Sequence, residues 1–205
     1  MGLYDRFVLP RLTHLVCGLE PNRRQREKVV PLARGEVLEL GFGSGLNLPH
    51  YDAAAVRRIR ALEPSLEMWE LAGPALATSP FAVEHLAAGA EEIPLPDASV
   101  DTVLVTYALC TIPEPGRALA EVRRVLAPGG RLLFCEHGLA PDPSVRRWQS
   151  RLDPVWRRLA GGCHLDRDIP ALIGSGGFAL ESLSTMYLPG WRPASYNFWG
   201  AAAPI

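Results

Sequence analysis

No two cysteines in this sequence lie close enough together to form a metal-binding pair. Cys17, Cys110, Cys135 and Cys163 are scattered through 205 residues without a CxxC, whereas structural zinc sites draw on close-set pairs. Small disulfide scaffolds are shorter and denser in cysteine, so reduced thiols, a cytoplasmic setting and no metal are expected. Charge imbalance is also missing. A formal net charge of -1 gives no global pull toward nucleic acid, and no nucleic-acid partner is expected. Long apolar runs are absent too. Uncharged runs such as Thr102 to Pro113 are too short to cross a bilayer as a helix. Asp5, Arg6, Pro10, Arg11 and His14 interrupt the N-terminal apolar residues, so neither a secretory leader nor a transmembrane segment is expected. With no repeat or low-complexity linker, the chain reads as one domain over residues 1–205.

What is present is alternation of strand and helix signals. Tyr4, Val8, Leu12, Leu15 and Leu19 recur near helical spacing, which predicts an amphipathic helix over 3–19, bent at Pro10. The run Arg23 to Lys28 reads as a solvated helix face in preference to a phosphate-binding patch. Residues 1–35 would then form a helical cap. Glu36–Leu40, Val56–Leu62 and Phe81–Leu86 read as strands, with a helix over 66–77 cut short by Pro74. The β-branched run Val100–Thr106 suits a central parallel strand covered on both faces. Leu119, Val122, Val125 and Leu126 make one face of a helix over 114–127, which Pro128, Gly129 and Gly130 end before a strand at Arg131–Glu136. A helix at 168–174 and a strand at Phe178–Leu188 follow. The pattern predicts an α/β fold, a seven-stranded mostly parallel sheet with helices on both faces.

In such sheets ligands sit beyond the carboxyl ends of the strands, beside the first one. That place is Gly41-Phe42-Gly43-Ser44-Gly45, where glycines allow sharp turns and close ligand approach. A dinucleotide GxGxxG would need a third glycine at position 46, which is Leu46. Glu39 beside the loop would repel a pyrophosphate and attract an ammonium group. Glu63 ends the next strand, 63 − 43 = 20 residues past the middle glycine, where a carboxylate can accept both ribose hydroxyls. Gly89-Ala90-Glu91-Glu92 is a turn placed to reach an adenine edge.

These segments, with Leu62-Glu63-Pro64-Ser65, the stretch Ile93 to Asp101 and the run Glu121 to Gly130, resemble the class I S-adenosylmethionine-dependent methyltransferases, whose fold is Rossmann-like. Within that superfamily, Leu109-Cys110-Thr111-Ile112, Glu136-His137 and Gly161-Gly162-Cys163-His164-Leu165 are similar to small thiol methyltransferases of the methyltransferase-like group. The resemblance implies S-adenosylmethionine as cofactor and S-adenosylhomocysteine as product. It implies cofactor contacts from Glu39, Gly41, Gly43, Ser44, Gly45, Asn47, Glu63, Pro64, Ser65, Ala90, Glu91, Thr106 and Tyr107. Glu63 would take the ribose, the glycine loop and Thr106 the methionine portion, and Ala90 and Glu91 the adenine. The animal relatives carry a hydrophobic N-terminal anchor that the segment 3–19 does not match. That segment is expected to fold over the cofactor, with peripheral membrane contact as the alternative.

On the acceptor side, a sulfonium donor is already activated, so alignment and water exclusion do most of the work. The expected acceptor is a small hydrophobic thiol, which needs only partial deprotonation from a pKa of roughly 8.5. His137, just past the fifth strand, and His164 are the candidate bases, each with a structural reading beside it. Residues 138–170 form an insertion shaping the acceptor pocket. There Trp148, Leu152 and Trp156 make an apolar stripe that is core or lid, and Trp148, Trp156 and Cys163 are the expected pocket residues. Direct transfer needs no covalent intermediate, so Cys163 is not read as a nucleophile, and Cys110 and Cys135 read as core. Trp191, Tyr196, Phe198 and Trp199 close the pocket or pack a final antiparallel strand. Alternatives are a lipid-amine or quinone methyltransferase, a nicotinamide-dependent oxidoreductase, disfavoured by Leu46, and a cofactor-binding protein without catalysis.

Overall fold

The structure is a computed structural model that describes residues 2–205, so Met1, the first residue of the expected cap, lies outside it. Seven strands form one sheet in the order β3-β2-β1-β4-β5-β7-β6. These are β1 (Gly35–Leu40), β2 (Val56–Leu62), β3 (Val83–Leu86), β4 (Val100–Thr106), β5 (Leu126–His137), β6 (Phe178–Tyr187) and β7 (Tyr196–Pro204). The first five pair in parallel, and β7 runs antiparallel between β5 and β6. Order reverses at β1 and β4, whose carboxyl ends open the crevice in which such sheets bind ligands.

Alternation along the central strands feeds two cores. Leu38, Leu40, Val103, Val105, Leu132 and Phe134 point to one face, against α5 (Pro115–Val125) and α7 (Ile169–Ser175). Val37, Leu104, Leu133 and Cys135 point to the other, against Val29 of α2 (Glu20–Val29) and Ala72, which follows α3 (Leu66–Leu71). Burial on both faces is why these strands read as nearly continuous apolar runs.

Several boundaries differ from the sequence expectation for local reasons. The helix over 66–77 is two short helices, α3 and α4 (Gly73–Ala77), because Pro74 sits in the first turn of α4, where its missing N–H costs nothing. Pro10 likewise opens α1 (Leu9–Cys17), and a π-helical turn at Tyr4–Val8 precedes it, so the proline starts a helix instead of bending one. Strand β5 begins at Leu126, before the glycines expected to separate it from α5. Helix α6 (Pro143–Leu159) continues through Pro154.

The stripe expected to pack from α6 is not the one that does. Trp148 is 56% exposed, while Val145, Gln149 and Asp153 make the buried row at i, i+4 and i+8. Gln149 earns that position by bonding backbone: Nε2 donates to the carbonyls of Gly138, Leu165 and Pro193, and Oε1 accepts from Ala140 N–H. Asp153 accepts Leu165 N–H at 2.8 Å. Loops that cross under a helix leave backbone groups needing partners, and a polar stripe supplies them. No helix among the described residues is long and apolar enough to cross a membrane.

Because Leu104 is fully buried in the central strand, Leu104→Ala should lower unfolding stability by about 2–5 kcal/mol. Urea denaturation checks it. A loss under about 1 kcal/mol would mean that the layers around β4 collapse onto the vacancy.

Candidate active site

At the carboxyl end of β1 the chain turns through Gly41, with φ +65°, where an added Cβ would lie 2.6 Å from the Ala108 Cβ. Glycine is required there for conformation and for space. Glu63, at the end of β2, holds the turn. Its Oε2 accepts Gly43 N–H at 2.8 Å and its Oε1 accepts Ser65 N–H at 2.9 Å. Burial pushes the Glu63 carboxyl up from its ordinary range, and these two amide bonds oppose that shift. The turn borders a cavity of about 500 Å³. Ten of the expected cofactor residues line it: Gly41, Gly43 and Ser44 from the turn, Glu63, Pro64 and Ser65 after β2, and Ala90, Glu91, Thr106 and Tyr107.

Glu39, Gly45 and Asn47 do not line it. Glu39 is buried beneath the turn, accepting Asn47 Nδ2–H at 2.8 Å and the Tyr51 hydroxyl at 2.5 Å. Its expected direct pull on an ammonium group is therefore replaced by an internal role. Alternation explains this: Glu39 shares its sheet face with Val37, and that side is covered.

Arg26 is the residue that the sequence reading misplaced. It lies within the charged run read as a solvated face, yet it is 4% exposed. Its guanidinium donates to Asn47 Oδ1 at 2.8 Å and Thr106 Oγ1 at 2.5 Å, sits 5.2 Å from the Tyr107 ring centroid and reaches the cavity wall. Its Nε is buried and has no partner among the described residues. The available signal was register: Gln25, Arg26 and Val29 mark one buried face of α2. A guanidinium at the wall of a glycine-lined cavity that also holds a carboxylate fits an amino-acid carboxylate joined to a ribose. S-adenosylmethionine has both groups.

The N-terminal segment closes one side, with Asp5, Leu9, Pro10, Thr13, His14 and Cys17 on the wall. His14 Nδ1 lies 2.7 Å from Ser44 Oγ, and the Tyr4 hydroxyl donates to the Leu159 carbonyl at 2.6 Å, tying this segment to the end of α6. His14 was missed because a histidine on an amphipathic helix carries no motif.

Thr111, Ile112 and Pro113 after β4 and Ala160 and Gly161 after α6 also line the cavity. Glu136 braces the first group, accepting Ala108 N–H at 2.8 Å and Leu109 N–H at 3.0 Å, and burial pushes its pKa up to about 7. The expected bases sit outside the lining. His137 is the last residue of β5, with Nε2 3.1 Å from Cys163 Sγ and Nδ1 buried with no partner among the described residues. Burial works against its protonation, but the Cys163 charge, their hydrogen bond and Glu136 outweigh it and raise its pKa. Its Nε2 is engaged by Cys163 and the residue does not line the cavity, so it is poorly placed to take a proton from the acceptor. His164 Nδ1 lies 3.4 Å from Asp153. Of the expected pocket residues, Trp148 is exposed, while Trp156 meets Cys163 through an indole N–H at 3.4 Å and packs on Trp191. None of these three lines the cavity.

Burial raises Glu39 and Glu136 each to about 7 in the folded chain, from an ordinary 4.5. Between those values the folded protein keeps protons that the unfolded chain has released, so this contribution to stability falls as pH rises. Glu39→Gln should flatten the decline in unfolding free energy between about pH 5 and 7. Urea titrations at stepped pH test it, and an unchanged slope would show that Glu39 titrates normally.

A family profile described as a methyltransferase domain matches residues 38–134. The chain is 36% identical to thiol S-methyltransferase TMT1B of Homo sapiens, over 98% of this chain and 89% of that protein. It is 36% identical to a demethylmenaquinone methyltransferase of Clavibacter sepedonicus, over 58% of this chain and 48% of that one. In fold it is similar to an S-adenosylmethionine-dependent methyltransferase of Thermotoga maritima, with a TM-score of 0.66 at 21% identity, covering 98% and 97% of the two chains. These likenesses leave the nicotinamide oxidoreductase alternative without support. The chain belongs to the class I S-adenosylmethionine-dependent methyltransferases, in the family that includes the thiol S-methyltransferases.

Proposed function

We propose that this methyltransferase methylates the sulfur of a small apolar thiol. The observation that carries the reading is a cofactor-sized cavity with an apolar lining from Leu9, Pro10, Ile112, Pro113 and Ala160, and with His14 among the same lining residues. Likeness to a thiol S-methyltransferase over nearly the whole chain supports it; the quinone enzyme matches a shorter stretch.

When bound, S-adenosylmethionine supplies a methyl group already activated on a sulfonium. In this reading Glu63 holds the ribose hydroxyls, Pro64 and Ser65 border them, and Ala90 and Glu91 take the adenine side. Arg26 takes the carboxylate, while the amides of the glycine turn and the backbone at Thr106 and Tyr107 position the methionine portion. Residues 1–35 act as a cap and residues 138–170 contribute Ala160 and Gly161 to the lining, which together exclude water. The outward stripe of the cap, with Leu12, Leu15 and Leu19 exposed, suits a peripheral membrane contact.

The remaining chemistry is one proton. In the tautomer that donates Nδ1–H to Ser44, His14 keeps its Nε2 lone pair for the acceptor. A thiol with a pKa near 8.5 lies within reach of an imidazole base. The methyl transfer itself is left to alignment.

Glu63→Ala should weaken S-adenosylmethionine binding by about 2–4 kcal/mol, because charge-assisted hydrogen bonds to the ribose are each worth roughly 1.5–3. Calorimetry on the folded variant tests this, and unchanged affinity would remove Glu63 from the site. His14→Asn should lower turnover about 100-fold for weakly acidic thiols, and less for acidic ones that ionise unaided. His137→Asn should give a smaller loss, equal across the thiol series. The reverse pattern would return the base to His137, and turnover of quinones or amines in place of thiols would overturn the acceptor.

A further inference from the structure

Behind the acceptor wall, the loop after β4, the end of β5 and the turn after α6 bring Cys110 Sγ, His137 Nε2 and Cys163 Sγ within 4.8 Å of one another. From this arrangement we propose that Cys110 and Cys163 are a peroxide-sensitive dithiol: Cys163 is the attacked sulfur, Cys110 resolves it, and the product is an intramolecular disulfide.

The two sulfurs differ in ways that assign these roles. Cys163 is half-buried, while Cys110 is buried. Cys163 Sγ lies 3.1 Å from the His137 ring nitrogen and accepts the Trp156 indole N–H at 3.4 Å. Hydrogen bonding from Cys110, the His137 charge and the Trp156 donor lower the Cys163 pKa against the effect of burial. Cys110 is raised by that same hydrogen bond and by burial, and keeps its proton. Around the pair stand Glu136 and His137 from β5, Arg167 before α7 and Cys17 from α1. Arg167 and His137 favour the thiolate and Glu136 opposes it. Cys17 and Cys135 are both raised by burial, so neither competes as a nucleophile.

The backbone is set for the bond. His164 N–H donates to the Cys110 carbonyl at 2.8 Å, so the two turns already run side by side. In the first step the Cys163 thiolate attacks the hydroperoxide, the O–O bond breaks, and the leaving oxygen takes the His137 proton to give an alcohol or water and a sulfenic acid. In the second, Cys110 gives its proton to the now neutral His137 and attacks the Cys163 sulfur. The S–O bond breaks, and water leaves with that proton. The two thiols supply the two electrons that reduce the peroxide. The disulfide ties Thr111 and Ile112 to Ala160 and Gly161, which form the acceptor wall, so oxidation fixes that wall.

The test uses the full chain with hydrogen peroxide, alkylation of remaining thiols and peptide mapping. A Cys110–Cys163 crosslink reversed by dithiothreitol is expected, absent from Cys163→Ser and retained in Cys17→Ser. In the unmodified chain, the rate of Cys163 alkylation by iodoacetamide should vary less than about twofold between pH 6 and 8, where an ordinary thiol gains roughly tenfold per unit. His137→Asn should slow the reaction and restore the steep profile. A crosslink to Cys17, oxidation of Cys163 to sulfinic acid without a crosslink, an ordinary steep profile in the unmodified chain, or zinc that copurifies and blocks alkylation until chelated would each overturn the proposal.

Discussion

The burial of the Arg26 guanidinium organises this site. A cation removed from water is strongly unfavourable unless its donors are matched, and removal of a partner from a buried charged group costs about 3–5 kcal/mol. Here Asn47 and Thr106 supply oxygens, and the Tyr107 ring supplies a face. Asn47 in turn donates to Glu39, which also holds Tyr51. One chain of contacts thus connects α2, the turn after β1 and the ends of β1 and β4. Arg26 also reaches the cavity wall, and its Nε is buried with no partner among the described residues.

The same economy recurs wherever loops meet the sheet edge. Glu63 satisfies amides of two successive turns, Glu136 satisfies amides after β4, and Gln149 joins three carbonyls and an amide beneath α6. Irregular backbone cannot pair with itself as strands do, so buried side chains complete its hydrogen bonds. That fixes the loops while leaving a concave space between them. The carboxylates that do this work are held at raised pKa by burial, so the same groups that shape the site also make its stability depend on pH.

Fold and cofactor loop were legible in the residues because both rest on local rules. Period-two apolar strands, a helix face at Leu119, Val122 and Val125, and glycines where φ is positive are each visible in a short window. Glu63 was legible through its spacing from Gly43, since strand and loop lengths in this fold bring the two together. The acceptor side was not legible in that way. Trp148 and Trp156 look like a packed stripe at helical spacing, but which helix face is buried depends on what crosses beneath it. Here the crossing backbone selects Gln149 and Asp153.

The sequence by itself determined the mostly parallel sheet, the turn at Gly41–Gly45, the Glu63 carboxylate beside that turn and membership of the methyltransferase class, because each depends on neighbours a few residues apart or on a fixed strand-to-loop spacing. Only the tertiary structure decided that Arg26 faces inward, that His14 meets Ser44, and that Cys110, His137 and Cys163 converge from three separate segments. Those contacts join residues far apart in the chain. Charge burial and proton sharing depend on distance in space, which a linear pattern does not carry.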